Sequence, residues 1–261
     1  MTAFDNKIAP IPAVVKGRLQ ARMAASAQDL QAAQRLRHQM FTGPQSADSG
    51  ALDADDFDPK CQHVLVEDTQ SGAVLACFRF LHLDSGAGIG ISYSAQFYDL
   101  SKLKTYARPM LEIGRFCTSF GANDPDIVRL GWAMLTRYVD THGIGMMFGC
   151  SSFPGNDTTP YHAALALLQK RHLAPQCWAP KRKAAETRNF AELLETPIQT
   201  SSSPQANRPM PSLLRTYLGM GGWVSDHAVI DRALGTFHVF TGVEIANIPA
   251  RRAQLLRADA R

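Results

Sequence analysis

The spacing of apolar and polar positions changes along the chain, and each spacing predicts a different element. Apolar residues recur every three or four positions between residues 30 and 41, which predicts a helix capped by Ser26. β-Branched and other apolar residues fill residues 63–67 and 73–81, and the turn-forming segment 68–72 joins them. These runs predict a two-stranded hairpin after the first helix.

The remaining pattern extends this plan to a mixed sheet. Asp124 followed by Pro125 predicts the start of a second helix that ends near Gly143. Further helices are predicted at residues 159–172 and 212–220, and further strands at residues 89–93, 110–119, 146–153 and 236–245. This order of elements describes an α/β (α+β) fold, a mixed sheet with helices on both faces.

The same pattern sets the expected domain boundaries. Residues 1–25 contain Pro10 and Pro12 and little periodicity, so we expect an N-terminal arm. Residues 26–250 are expected to form a single domain, in which the polar, proline-containing stretch 196–211 is a surface loop. Residues 251–261 are expected to be a basic C-terminal tail.

Composition and charge restrict the classes of function. The chain has 261 residues, 45% of them hydrophobic and 19% charged, which is typical of a folded globular protein. A formal net charge of +4 is too small to argue for nucleic acid binding. Neither a membrane-spanning apolar stretch nor a signal-peptide pattern occurs, so we expect a cytoplasmic protein. The five cysteines lack ligand spacing, which predicts free thiols and no metal site.

Strand 110–119 carries the first indication of chemistry. It places Glu112, Gly114 and Arg115 where a purely structural strand has apolar residues. Regular alternation puts Glu112 and Arg115 on opposite faces, and a bulge at Gly114 would turn Arg115 back toward Glu112. With unbroken alternation, Arg115 is instead expected to be a structural partner. An edge strand with one solvated face is the alternative interpretation.

Two other charged segments each have a functional and a plain interpretation. The acidic loop that contains Asp55 and Asp58 suits an ammonium group or simply stays solvated, and it lacks the glycine and distal glutamate of a calcium loop. Residues 170–188 form a basic cluster, which suits an acidic partner or is a solvated face. The nucleotide-binding motifs G-x-x-x-x-G-K-[ST] and G-x-G-x-x-G and the hydrolase motif G-x-S-x-G are missing.

Several motifs, taken in order, resemble two related acyltransferase families. Arg37-x-x-x-Phe41, Asp55-x-x-Asp58, Arg79 and Glu112-x-x-Arg115-Phe116 resemble the signature of acyl-homoserine-lactone synthases. The chain more closely resembles the L-ornithine Nα-acyltransferases, which make lyso-ornithine lipid. The motifs that carry this second resemblance are Arg35-Leu36-Arg37-His38-Gln39-Met40-Phe41, Asp55-x-Phe57-Asp58-x-x-Cys61-x-His63, Tyr93-Ser94-Ala95-Gln96-Phe97, Leu111-Glu112-Ile113-Gly114-Arg115-Phe116-Cys117, Phe148-Gly149-Cys150-Ser151-Ser152-Phe153 and Pro211-Ser212-Leu213-Leu214-Arg215-x-Tyr217.

The resemblance implies a fold, a reaction and a set of site residues. The fold is a GNAT-like N-acyltransferase fold with a mostly antiparallel, twisted sheet. The reaction moves a fatty or 3-hydroxy fatty acyl group from an acyl carrier protein thioester to the α-amine of an amino acid, by default ornithine. Glu112 is implied as the general base and Arg115 as a second catalytic residue. The implied substrate-binding residues are Arg37, Phe41, Asp55, Asp58, Arg79, Tyr93, Phe148, Ser151 and Ser152.

Charged groups of the substrate have expected partners within that set. Arg79 or Arg115 is expected to bind the substrate carboxylate, and Asp55 or Asp58 an ammonium side chain. Mutual ion pairing of the same four residues is the structural alternative, because buried charges must be paired. Backbone N–H groups are expected to stabilise the oxyanion where the strand of Glu112 separates from strand 146–153.

Departures from the family pattern affect the donor and one further position. Residues 120–125 lack the arginine and the series of spaced glycines of a coenzyme A pyrophosphate loop. This favours acyl-phosphopantetheine on a carrier protein as the donor and no bound cofactor. The expected carrier-protein surface is basic and comprises Lys170, Arg171, Lys181, Arg182 and Lys183. His238 stands where the resemblance implies an aspartate. Because the product is amphiphilic, we expect peripheral contact with the inner face of the cytoplasmic membrane.

Two other functions stay open at this point. An acyl-homoserine-lactone synthase has the same fold and acts on S-adenosylmethionine, although the motif at residues 211–217 argues against it. A non-enzymatic module would bind acyl chains or carrier protein without turnover. The identity of the acylated amino acid also stays open, because accepting glutamine, lysine or glycine in place of ornithine needs only small changes in the acceptor pocket.

Overall fold

The computed structural model describes residues 11–43, 50–195 and 208–260. Helices and strands alternate along the chain as the mixed pattern predicts. In chain order they are β1 (Val14–Lys16), β2 (Leu19–Met23), α1 (Ala27–Thr42), β3 (Gln62–Asp68), β4 (Val74–Leu83), β5 (Tyr98–Asp99), β6 (Met110–Thr118), α2 (Pro125–Thr141), β7 (Met146–Pro154), α3 (His162–Arg171), β8 (Lys181–Arg182), β9 (Thr187–Asn189), α4 (Phe190–Glu195), α5 (Ser212–Gly219), β10 (Trp223–Val224), β11 (His227–Asp231), β12 (Thr236–Glu244) and α6 (Ala250–Asp259).

The chain divides into two compact units. The first comprises Met1–His82, Ile113–Ile144 and Ala250–Arg261, and the second comprises Leu83–Glu112 and Gly145–Pro249. Strand β6 therefore contributes its first three residues to the second unit and the remainder to the first.

In the first unit the strand order is β1-β2-β3-β4-β6, and the register shows antiparallel pairing from β1 to β4. Helix α1 begins with the predicted cap: the Ser26 side chain accepts from the Asp29 backbone, and the Asp29 side chain accepts from the Ser26 backbone. Helix α2 begins with Asp124 as its cap and Pro125 in its first turn, also as predicted. Both starts follow from local chemistry, which explains why the sequence located them.

In the second unit the order β7-β12-β11-β9 is antiparallel throughout. The start of β6 pairs with β7 in parallel, from Met110↔Met146 to Glu112↔Phe148. Strand β10 pairs with β12, and β5 and β8 form a separate antiparallel pair. The predicted mixed, mostly antiparallel sheet is thus confirmed.

Three local features add to or differ from the expected pattern. Strands β1 and β2 occupy part of the expected N-terminal arm, where Gly17 with φ 57° allows the tight turn between them. Helix α6 occupies most of the expected C-terminal tail. The expected strand 89–93 is replaced by 3₁₀ helices at Gly86–Ile91 and Ser94–Gln96. Of the expected surface loop 196–211, residues 196–207 lie outside the described residues.

None of the described helices is long and apolar enough to cross a membrane. The division of the chain at residues 26 and 250 stays a prediction.

Gly86→Ala is expected to destabilise the protein. A Cβ at Gly86 would overlap the carbonyl oxygen of Leu103 and lie 3.1 Å from the Tyr106 nitrogen. Overpacking of this kind costs about 1–3 kcal/mol, and each kcal/mol lowers the thermal midpoint by about 2–4 °C in a chain of this size. Gly90→Ala is the matched control, because no described atom lies within 4 Å of a Cβ there. Equal midpoints for the two variants in a thermal scan would contradict the close approach.

Candidate active site

Glu112 is the buried acid of the second unit. It is 5% exposed, and its carboxylate accepts three hydrogen bonds. The Tyr93 backbone donates to Oε2 at 2.8 Å, while the Ser94 backbone and Ser94 Oγ donate to Oε1 at 2.7 Å and 2.6 Å. Hydrogen bonds to an ionised carboxylate favour that charged form. The bend at residues 93–94 therefore holds Glu112 as an anion in one orientation.

The side chains that share a sheet face with Glu112 come from β7 and β12. Glu112 pairs with Phe148, and Cys150 and Ser152 follow on the same face because side chains alternate along a strand. Phe148 is buried and its ring stacks on Phe240, with centroids 5.8 Å apart. Cys150 is partly exposed, and its sulfur lies 3.5 Å from Ser94 Oγ.

Two of the predicted substrate-binding residues contribute differently. Ser151 lies on the opposite face of β7, where its hydroxyl accepts a hydrogen bond from Thr241 Oγ1 at 2.8 Å. Tyr93 meets Glu112 through its backbone, and its ring packs on Phe97 at 5.3 Å. Phe148 and Ser152 lie on the face of β7 that they share with Glu112. The binding roles of all four residues stay predictions.

The first unit contains a cluster of three arginines and three aspartates, which we call the charge cluster. Arg37 is 1% exposed and bonds both oxygens of Asp58, at 2.9 Å and 2.7 Å. Gln34 also donates to Asp58, at 2.8 Å. The members of the charge cluster are Arg37, Arg79, Arg115, Asp53, Asp55 and Asp58.

The remaining members connect the buried centre of the charge cluster to its more exposed rim. Arg79 donates to both Asp55 and Asp58, and its Nη2–Asp55 distance is 2.7 Å. Arg115 donates to Asp53 and Asp55, at 3.1 Å in each case. The Arg115 guanidinium also lies over the ring of Phe41, 5.8 Å from its centroid. These six charges cancel, so the cluster is balanced by its own members.

The charge cluster lowers the pKa values of Asp55 and Asp58. Burial by itself would raise the pKa of Asp58, but the hydrogen bond and charge of Arg37, with those of Gln34 and Arg79, hold that pKa well below its usual range. Burial would likewise raise the pKa of Asp55, but Arg79 and Arg115 outweigh it, so that pKa is also lowered. Burial lowers the pKa of the adjacent His63, which favours the neutral imidazole. Asp55 and Asp58 are therefore ionised partners of the arginines.

The expected irregularity in β6 is present, one residue later than predicted. Arg115, not Gly114, has a positive φ, of 55°. A left-handed non-glycine residue breaks the alternation of a strand and costs of order 1 kcal/mol. The contacts of Arg115 with Asp53, Asp55 and Phe41 stabilise this conformation. The regular alternation of β6 is therefore interrupted at Arg115, and whether this residue is catalytic or a structural partner stays a prediction.

The predicted carrier-protein residues are all exposed and all belong to the second unit. Lys183 Nζ donates to the Ala95 carbonyl at 2.5 Å, next to the Ser94 that bonds Glu112. Arg182 pairs with Glu192 at 3.3 Å. The five residues of this basic surface are Lys170 and Arg171 at the end of α3, Lys181 and Arg182 in β8, and Lys183.

His238 is buried on the same sheet face as Ser152, its partner in the β7–β12 register. Its Nδ1 lies 3.0 Å from the Tyr98 hydroxyl, which also bonds the His238 carbonyl at 3.0 Å. Burial lowers the pKa of His238 to about 4, so the ring is neutral at neutral pH. The position where an aspartate was implied therefore carries no charge.

Three residues of these sites were not predicted to be site residues. Asp53 completes the charge balance, Ser94 fixes Glu112, and Cys150 contacts Ser94. Alternation along β7 was the available signal for Cys150, because it places that residue between Phe148 and Ser152 on one face. Ser94 lies in the quoted motif at residues 93–97, but nothing in the sequence placed its hydroxyl next to Glu112.

Comparison with known proteins identifies the class. Residues 36–132 match the family described as Acetyltransferase (GNAT) domain. The chain is 34% identical over 229 residues to L-ornithine N(alpha)-acyltransferase of Rhodobacter capsulatus, covering 84% of this chain and 86% of that protein. It is 31% identical over 258 residues to the enzyme of that name from Brucella abortus, covering 94% and 90%. The solved structure of an N-acyl amino acid synthase from uncultured soil microbes has a TM-score of 0.43 and 10% identity, over 88% of this chain and 92% of that one.

The matched domain and the mixed sheet define an acyltransferase with the GNAT fold. The two sequence relatives are more specific. The chain belongs to the L-ornithine Nα-acyltransferase family.

Asp58→Asn is expected to lower the free energy of unfolding by about 3–5 kcal/mol, because removing one partner of a buried ion pair leaves Arg37 uncompensated. Denaturant unfolding at neutral pH measures the change. The matched control is Asp56→Asn, which removes an exposed carboxylate two residues away and should stay within about 0.5 kcal/mol of wild type. Similar losses in the two variants would contradict a supporting role for the charge cluster.

The lowered pKa of Asp58 also sets the pH range of this effect. Its contribution is complete above the unfolded-state pKa of about 3.9 and is lost as pH falls toward the lower folded-state pKa. The stability difference between wild type and Asp58→Asn should therefore be constant from about pH 7 to pH 5 and shrink by about 1 kcal/mol by pH 3. A difference that stays unchanged to pH 3 would show that folding does not lower the pKa of Asp58.

Proposed function

We propose that this acyltransferase moves a fatty or 3-hydroxy fatty acyl group from a pantetheine thioester to the α-amine of ornithine. The acceptor is inferred from the names of the relatives. The observation that carries the chemistry is Glu112, a buried carboxylate fixed by three hydrogen-bond donors in a chain of this family.

Glu112 supplies the base that amine acylation needs. An α-amine attacks a thioester carbonyl only as the neutral amine, so its proton must be removed near the reacting carbon. Glu112 accepts that proton directly or through one water molecule. Binding the amine and the thioester together supplies much of the remaining rate enhancement, because it makes the attack intramolecular. Backbone N–H groups of β7 beyond Phe148 are the proposed oxyanion donors.

The charge cluster provides the proposed partners for the acceptor's charged groups. Arg37 and Asp58 are almost fully buried and bond each other, so we assign them the supporting role. Asp53, Asp55 and Arg115 form the more exposed rim, with side chains 12–24% exposed. Arg115 suits the acceptor carboxylate, and Asp55 suits the side-chain ammonium of ornithine.

The donor is proposed to be an acyl carrier protein. Its phosphopantetheine arm brings the acyl group, so the enzyme needs no bound cofactor. The exposed basic surface fits an acidic protein, because complementary charge speeds association and orients the partners. An amphiphilic product would leave through peripheral contact with the inner face of the cytoplasmic membrane.

Expression in a bacterial host without amino-acid-containing lipids tests the reaction. We expect lipid extracts to contain an N-acylated ornithine, identified by accurate mass and fragmentation, and Glu112→Gln to abolish it. Glu244→Gln, a neutralised glutamate of the same unit, should preserve the product. An acyl-homoserine lactone would instead identify an autoinducer synthase, and no acylated product in the wild type would support a binding module. Both outcomes contradict the proposal.

An assay with purified enzyme and acyl carrier protein thioester separates a base from a structural carboxylate. Glu112→Gln should lower kcat by about 100-fold or more and remove the decline of rate at low pH, because that decline reports protonation of the base. A purely structural Glu112 would lower the rate by the same factor at every pH. Undiminished turnover would remove the proposed base altogether.

Reversing Lys170, Arg171 and Lys181 to glutamate is expected to raise the apparent KM for the carrier protein by about 10-fold and to flatten its dependence on salt. Lys183 and Arg182 are left intact, because Lys183 bonds the Ala95 carbonyl beside Ser94 and Arg182 pairs with Glu192. Steady-state kinetics at two salt concentrations measure both effects.

The matched control reverses three exposed cations of the first unit, Arg18, Arg35 and Arg251, which gives the same net charge. We expect this control to keep the wild-type KM. If both triple variants change KM equally, the overall charge acts and the basic surface has no specific role.

A further inference from the structure

We propose that Cys150 is a further catalytic residue, whose thiol gives a proton to the departing pantetheine sulfur. Ser94 is the positioning residue that links Cys150 to Glu112. This inference rests on the proposed function, because it describes the leaving-group side of the same acyl transfer.

The direction of the hydrogen-bond chain follows from what each group can donate. An ionised carboxylate only accepts, so the single hydroxyl hydrogen of Ser94 points to Glu112 Oε1, 2.6 Å away. In the 3.5 Å contact between Ser94 Oγ and Cys150 Sγ, the thiol must therefore be the donor. The chain runs from the Cys150 thiol through the Ser94 hydroxyl to the Glu112 carboxylate.

Exposure indicates which end of this chain meets the donor. Ser94 is fully buried, whereas Cys150 is partly exposed. Cys150 also lies two residues after Phe148, which forms the last residue pair in the parallel register of β6 and β7. A thioester that enters where this pairing ends meets the thiol on the sheet face that carries Glu112.

The proton movements balance without any further reactant. Glu112 passes the ammonium proton on to water before the attack. The neutral amine nitrogen then bonds to the carbonyl carbon and gives its second proton to Glu112. The carbon–sulfur bond of the donor breaks, its electron pair stays on the pantetheine sulfur, and the Cys150 thiol protonates that sulfur. Ser94 then protonates the Cys150 thiolate, and Glu112 returns a proton to Ser94. One proton has moved from amine to thiol, and all three residues have their starting forms.

A thiol is chemically suited to this step. The proton donor and the proton acceptor are both alkyl thiols, so transfer between these like groups has little driving force in either direction. General acid catalysis works best when the pKa of the acid lies near the working pH. A serine at this position would keep the hydrogen bond but would be a far weaker acid.

The test compares Cys150→Ala and Cys150→Ser on two acyl donors. One donor is an alkyl thioester of pantetheine, and the other is the thiophenyl ester of the same acyl group, whose thiolate leaves without protonation. Both variants should lose about 100-fold in kcat/KM with the pantetheine thioester and stay near wild type with the thiophenyl ester, after the uncatalysed rate is subtracted. Cys177→Ala, which removes an exposed cysteine of the same unit, should match wild type on both donors.

Three results would overturn the assignment. Equal losses on both donors would show that Cys150 only supports the packing. Full activity of Cys150→Ala with the pantetheine thioester would exclude any role. An acyl group found on Cys150 by mass spectrometry, in enzyme quenched before ornithine is added, would make the thiol a nucleophile instead. A wild-type enzyme inactive with both donors would refute the acyl-transfer proposal itself, which keeps the two failures distinguishable.

Discussion

Ionised side chains removed from water must be surrounded by opposite charges or hydrogen-bond donors, and both candidate sites are built around this constraint. Glu112 satisfies it with the backbone of residues 93–94 and the hydroxyl of Ser94. That requirement fixes the local backbone, because two successive N–H groups must turn toward one carboxylate. The charge cluster satisfies it mainly with opposite charges on side chains, as Arg37 and Asp58 do at its centre. Backbone N–H groups of Phe57 and Asp58 also donate to Asp55. Arg37 and Asp58, which were expected to bind substrate, therefore also neutralise each other in the buried centre of the charge cluster.

The same constraint explains how much of the fold the sequence could predict. Helices α1 and α2 begin at caps whose hydrogen bonds lie within four residues, so local chemistry is sufficient. Residues 89–93 have the composition of a strand, but residues 86–91 form a 3₁₀ helix. The backbones of Tyr93 and Ser94 then donate to Glu112, which is almost twenty positions away. Glu112 was visible because it is a charge in an apolar strand. Ser94 and Cys150 lie in quoted motifs, but their roles were not predicted because these depend on contacts with residues distant in the sequence.

Arg115 shows why a correct idea was placed on the wrong residue. Glycine has the freest backbone, so a bulge was expected at Gly114. In the structure the left-handed residue is Arg115, and the conformational cost is offset by contacts of its long side chain with Asp53, Asp55 and Phe41. Glycine could adopt this backbone at lower cost but could make none of those contacts. Backbone propensity alone predicts which residue adopts the left-handed conformation only when side-chain contacts do not stabilise that conformation elsewhere.

His238 extends the argument to a position that departs from the family pattern. Tyr98 has one hydroxyl hydrogen, and if it is donated to the His238 carbonyl, Nδ1 of the neutral ring carries the hydrogen that completes the second contact. Nε2 is then an acceptor, and among the described residues it has no hydrogen-bond partner. An aspartate here would bring a negative charge close to the buried Tyr98 hydroxyl and would need its own donors. The histidine fills the place without a charge, so the anionic chemistry of this sheet face rests on Glu112.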